Sequence, residues 1–323
     1  MGLRAAGTQQ ERAESYFKVP SSLYRPGDMI EEDLFFLYQG QFVLYRLKNL
    51  VWKIEDEKRL VEFQMTDLYM RFKDKRDHQK FLESNLSKIL DSKMIPEVKK
   101  AEILYESSIS LAEDIFSSPK SAETLKRSMK SIKNTIHFLS KDRSNFFGLM
   151  SMASKDFSEF SHAVNTAAYS ISLANQMGIK NFNQISCVGI AAMLHDLGKS
   201  KVDKAILEKP GKLTDEERME VEKHPRYSYE IVHESRSIPD ISELIVLQHH
   251  ERPKGRGYPS NMNDDIHVFT KIVALSDCFD SLTSDRNYQS AIKPVNAIEL
   301  LRMELKEDYD QDLVVEFIKM LKR

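Results

Sequence analysis

Cysteine is nearly absent from this chain. Cys187 and Cys278 lie far apart and form no paired motif, so neither a disulfide framework nor a thiolate metal site is expected. No apolar run approaches the ~20 residues a membrane helix needs. The polar stretch Met1–Glu14 holds no hydrophobic segment of a secretory signal. A reducing, cytoplasmic setting is therefore expected. Charge of one sign is not in excess: 47 Lys+Arg face 49 Asp+Glu, a net charge of −2. That balance argues against the basic surface that grips a nucleic-acid polymer. Glycine, at 11, and proline, at 10, are sparse in 323 residues, which favours helix. The length suits about two domains.

What is present is patterned. Ser15–Asp28, with Pro20, Pro26 and Gly27, reads as extended entry chain. Gln41–Leu47 reads as a strand with Phe42, Leu44 and Leu47 as candidate core, and Asp67–Phe72 as a second strand. Helical periods follow at Asp56–Gln64 and Asp74–Leu90. Strand, helix, strand, helix points to a small α/β unit. From Ile95 onward the pattern is helical: Val98–Phe116, Ala122–Leu139 and Phe157–Met177, with Lys141–Asn145 as the expected hinge. The expected fold class is α+β, a mainly all-α bundle preceded by a small α/β domain.

The histidines carry the chemical signal. Of nine, six lie between His162 and His250. His195 and Asp196 end an apolar helix in LHDLGK, with Gly198 as its expected stop. His162 sits within a helix, His224 precedes Pro225, His249 and His250 end the apolar run Ile241–Gln248, and Asp277 follows Ile272–Leu275. Ionisable groups beside apolar stripes are costly to bury unless they share a partner. A pair of metal ions bridged by a carboxylate would satisfy all of them. Imidazole with carboxylate suits Fe, Mn or Zn.

Several segments occur in one order from about Phe157 to Asn296: HDLGK, KPGKLTDEE (Lys209–Glu217), Lys223–Pro225, HHERPKGRGYP (His249–Pro259) and SDCFDSLTSDRNY. This succession resembles the HD-GYP family of bacterial proteins that hydrolyse cyclic di-GMP. The resemblance implies a metal-dependent phosphodiesterase with two divalent transition-metal ions, iron or manganese. It places the metal ligands at His162, His195, Asp196, His224, His249, His250 and Asp277, with Asp196 as the bridge. Lys199 would neutralise a substrate phosphate oxygen, and Asp280 would position water or a ligand histidine. Tyr258, Gly257 and Arg286 would face the ligand. The implied domains are a flexible tail at 1–14, a small regulatory α/β domain at 15–95, a helical linker at 96–145 and the phosphohydrolase domain at 146–323. Protein partners would dock through the GYP loop or the N-terminal domain. The oligomeric state is not legible.

Three positions depart from the family pattern. Lys254 replaces the usual Asp of the HHExxDGxGYP run, Gln289 replaces a basic residue, and Ser158 occupies the place of a third-metal Glu, with Glu159 beside it. Two metals are therefore expected. Lys254 either attracts an anionic ligand or loosens Gly255–Pro259 by removing an Asp-mediated turn, the latter being the favoured expectation. The alternative to an enzyme is a catalytically weak receptor or scaffold that binds cyclic di-GMP and signals through the N-terminal domain.

Overall fold

The computed structural model describes residues 16–322 apart from 64, 66, 73–74, 154–157, 264 and 286–289. The chain divides into two compact units, residues 1–103 and 104–323.

Unit 1 holds four strands, β1 (Tyr16–Pro20), β2 (Leu34–Tyr38), β3 (Gln41–Arg46) and β4 (Asp67–Arg71), in the antiparallel order β1-β4-β2-β3. Two of these strands were not expected from sequence. β1 lies in the supposed entry chain, where it pairs Val19 with Leu68. β2 and β3 form a hairpin, closed at Gln39 and Gly40, both at positive φ, the conformation that matches strand twist in a tight turn. Alternation sends Leu68 and Met70 of β4 inward with Val19 and Leu34. Helix α2 (Lys75–Asp91) packs on β1 and contributes Leu86, Ile89 and Leu90 to the buried set; α1 (Ile54–Glu62) follows the buried Trp52. The expected core residues Leu44 and Leu47 are instead 45% and 52% exposed. Phe42 stacks on Tyr16 with ring centroids 4.1 Å apart, on the opposite face from Leu34 and Met70. β3 is an edge strand, which relaxes the demand for burial.

Helix α3 (Glu97–Ser117) leads into unit 2, which is helical. α4 (Ala122–Lys141) and α5 (Arg143–Met150) are separated only by Asp142, whose side chain accepts from the Ser144 amide and caps α5. The place expected to be a hinge is thus a capped corner, and Asn145 ties it by donating to Phe138 O. α6 (Glu159–Gln176) packs closely along α7 (Phe182–Leu194). From Val188 to Leu194 every residue of α7 is buried, which makes it the central helix of the bundle. Gly189 is required there: a Cβ would lie 2.9 Å from Ile132 of α4 and Ile171 of α6. Five further segments complete the surroundings of the site: α8 (Lys204–Leu207), α9 (Asp215–Val221), α10 (His224–Ser235), α11 (Asp240–Gln248) and α12 (Val268–Thr283). α13 (Pro294–Met303) and α14 (Gln311–Leu321) end the chain. Among the described residues, no helix is long and apolar enough to cross a membrane.

Candidate metal centre

Three helix ends aim histidines at one point by the same device. His195 follows α7, His224 opens α10 just after α9, and His249 follows α11. Each Nδ1 donates to the carbonyl three residues earlier, of Ala192, Val221 and Val246, at 2.7 Å. A carbonyl can only accept, so the proton sits on Nδ1 and a neutral ring presents a lone pair at Nε2. His162, on α6, is fixed differently: its Nδ1 lies 2.7 Å from Asp280 Oδ2 on α12. Asp280 therefore acts on the histidine, not on the cavity, which it does not line.

The side chains converge in two groups. Asp196, His224, His249 and His250 each offer a ligand atom, all within 4.8 Å of one another, and His162, His195 and Asp277 form a second such group. Asp196 faces both. Its Oδ1 is 3.1 Å from His224 Nε2, and its Oδ2 is 3.4 Å from His195 Nε2 and 3.6 Å from His162 Nε2. Asp277 Oδ1 is 3.1 Å from His162 Nε2.

These contacts do not satisfy one another. Nε2 of His195 is buried without a hydrogen bond. Nε2 of His224 and Nε2 of His249 face each other at 3.3 Å while both Nδ1 atoms carry the proton. Two opposed lone pairs repel unless a proton or a cation stands with them. Burial and the adjacent His195 and His224 push His249 well below the usual histidine range. Burial and the adjacent His249 and His224 do the same to His250. Both are thus held in the neutral form that ligates metal. Burial alone would raise the Asp196 carboxyl, but Lys199 and the imidazoles outweigh it and hold the group well below the usual carboxylate range. Burial likewise opposes a charged His162, yet hydrogen bonds to Asp277 and Asp280 raise it to about 9. Imidazoles with carboxylates and no thiolate are a donor set that fits divalent transition metals.

The local sequence explains the convergence. Gly198 does not merely stop a helix: a Cβ there would stand 2.2 Å from His224 O. Glycine lets the His195–Asp196 turn press against α10, and Ser228 stitches the two by accepting from Gly198 N and donating to His195 O, each at 2.7 Å. Gly257 has the same purpose, since its Cβ would meet Arg252 N at 2.2 Å. The GYP loop thus folds back onto the HHE turn. Buried Glu251 holds it there, accepting from Ser260 N at 2.6 Å and Met262 N at 2.9 Å. Arg252 donates to His249 O and to Tyr309 Oη, and stacks over the Tyr309 ring. Ser228, Glu251, Arg252 and Tyr309 were missed in the sequence. The HHE run names Glu251, but nothing in it reveals which amides that carboxylate accepts.

A cavity of about 670 Å³ opens over the cluster, lined among others by Asp196, Lys199, His250, Tyr258 and Asp277. Lys199 Nζ lies 2.6 Å from Asp196 Oδ2. Tyr258 stacks on His250, with centroids 4.7 Å apart. Gly257 lies against the backbone behind it. Ser158 caps α6, accepting from Ser161 N at 3.0 Å, and Glu159 lines the cavity. Lys254 does not face the cavity. It takes a left-handed conformation (φ 61°) and pairs with Glu307, while Arg256 reaches Asp308 at 3.1 Å. Glu251 accepts from the loop amides of residues 260 and 262, and Lys254 and Arg256 are engaged in these ion pairs. Arg286 and Gln289 lie outside the described residues.

The family model described as HD domain matches residues 148–313. A cyclic di-GMP phosphodiesterase response regulator, RpfG of Xanthomonas campestris pv. campestris, is 39% identical over 121 residues, covering 37% of this chain and 32% of the relative. The 3'3'-cGAMP-specific phosphodiesterase 3 of Vibrio cholerae serotype O1 is 32% identical over 161 residues, covering 50% of this chain and 35% of the relative. The chain thus spans about a third of the length of either relative. Bd1817, an HDG"Y"P protein from Bdellovibrio bacteriovorus, shares the fold with a TM-score of 0.68 at 19% identity, over 95% of this chain and 100% of that one. The convergence of His and Asp on helix ends, the matched span and the HHERPKGRGYP loop together make the chain a member of the HD-domain family, in its HD-GYP branch.

Proposed function

We propose that this chain is a metal-dependent phosphodiesterase acting on a bacterial cyclic dinucleotide, cyclic di-GMP foremost. The observation that carries the reading is Asp196, whose Oδ1 faces His224 Nε2 and whose Oδ2 faces Nε2 of His195 and His162, so that it stands between two groups of candidate ligands. In this reading His162, His195 and Asp277 would hold one divalent ion, His224, His249 and His250 would hold the other, and Asp196 would serve both. Iron or manganese suits the nitrogen and oxygen donors. A bound pair of divalent ions supplies Lewis-acid charge to a phosphodiester and an activated water at neutral pH.

The chain's own groups do the rest. Lys199 stands at the cavity wall beside Asp196, where its ammonium can meet charge building on a phosphate oxygen. Asp280 orients His162 through Nδ1, so that Nε2 points inward. Tyr258 stacks on His250 and lines the cavity. Residues 146–323 would form this catalytic domain and residues 15–95 a regulatory one. The names of the relatives support both cyclic di-GMP and 3'3'-cGAMP as substrates. Anaerobically purified, metal-loaded protein should hydrolyse cyclic di-GMP faster than 3'3'-cGAMP, with linear dinucleotide or mononucleotide resolved by chromatography. Saturable binding without turnover of either would establish the receptor reading in its place.

A further inference from the structure

The cations that line the cavity differ in what they already hold. Lys199 is paired with Asp196 at 2.6 Å, and Lys209 is held by both oxygens of Glu217, at 2.6 and 2.8 Å. Other lysines nearby are also paired: Lys201 with Glu230, Lys204 with Glu208 and Lys223 with Glu220. Lys212 and Arg218 line the same cavity, are exposed, and among the described residues have no carboxylate partner. Lys212 lies in the turn after α8, where Gly211 adopts φ +101°, and Arg218 lies on α9. The surrounding sequence is rich in acids, with Asp215, Glu216 and Glu217 in the first turn of α9. Leaving two cations unpaired in such a segment, both on the cavity wall, marks a place for an anion from outside.

A cyclic dinucleotide carries two phosphodiesters on opposite sides of its ring. When one lies at the His/Asp cluster, the other must lie away from it. Resting on the phosphodiesterase reading above, the geometry points to Lys212 and Arg218 as the site for this second, uncleaved phosphate. Arginine supplies a planar fork for two phosphate oxygens, and lysine a point charge. The pair would select ligands with two phosphates over simple phosphodiesters that share only the reacting group.

The test compares cyclic di-GMP with bis(p-nitrophenyl) phosphate, a diester with a single phosphate, in the full metal-loaded chain. In the Lys212→Ala/Arg218→Ala variant, kcat/KM for cyclic di-GMP should fall roughly tenfold to a hundredfold further than that for the single diester. That is the scale of lost charge-assisted hydrogen bonds at a screened rim. The Kd for cyclic di-GMP, from calorimetry at two ionic strengths, should rise in parallel and depend less on salt than in the native chain. Lys204→Ala removes a nearby charge that does not line the cavity, and should leave the ratio in place. Equal losses on both substrates, or an unchanged ratio and Kd, would overturn the second-phosphate site while leaving the phosphodiesterase reading intact. A native, metal-loaded chain that neither binds nor cleaves cyclic di-GMP would overturn that reading and the site with it.

Discussion

In unit 1 the buried charges have internal partners. Asp56 accepts from Lys53 N at 2.8 Å and lies 3.3 Å from Arg46, and Lys100 meets Glu97 at 2.5 Å. In unit 2, His195 Nε2 finds no hydrogen bond, and two imidazole nitrogens face each other at 3.3 Å. A charge whose partner is another side chain stabilises a fold or sets a turn. Lone pairs that are fixed by backbone hydrogen bonds and aimed at one another oppose the fold until an ion arrives. Single orphaned polar atoms occur in both units, Trp52 Nε1 and Thr166 Oγ1 among them; what sets the cluster apart is that several such atoms crowd to one point.

This contrast can be broken from either side. Trp52→Ala, at a residue 1% exposed in unit 1, should cost about 3–5 kcal/mol in the stability of that unit. Hydrogen exchange should lose protection across residues 16–103 while metal content stays at the native level. Loss of metal would show that the cluster depends on the small sheet. Lys199→Ala should retain metal yet lower kcat about 10²–10³-fold, the scale of one removed charge-stabilising donor. If metal disappears with activity, the lysine serves to hold Asp196. Asp280→Asn keeps the shape of the His162 contact but removes its charge, and should weaken metal affinity about 10–100-fold; competition against a chelator would measure it. Lys254→Asp exchanges an exposed, solvent-screened ion pair with Glu307 for a repulsion, and should change stability only slightly. Thermal melting at low and high salt would reveal a larger effect if the GYP loop depends on that pair.

The sequence made the helical half and its chemistry legible because both are written locally. The apolar period of α7 ends at His195, and the run before His249 ends likewise, so these two candidate ligands sit at identifiable helix ends. The small sheet was harder to read. β1 contains Pro20 and pairs with a strand some fifty positions later, and hairpin strand β3 leaves Leu44 and Leu47 in solvent, where hydrophobicity no longer reports burial. Non-local contacts hid the supports of the site as well. The need for glycine at 198 comes from His224 O, and the hold of Glu251 on the GYP loop runs to the amides of residues 260 and 262. The back-bonding of His195, His224 and His249 to the carbonyl three residues earlier is local, and a histidine just past an apolar helix is a signal for it.

The central claim is that the imidazole–carboxylate cluster exists to hold metal, with Asp196 shared between its two groups. Elemental analysis of anaerobically purified native chain and Asp196→Ala tests this directly. The account predicts about two transition-metal ions per native chain, following two-metal logic, and an emptied site in the variant, with the helical signature of both proteins intact. Full metal content in Asp196→Ala, or none in the native chain, would contradict it.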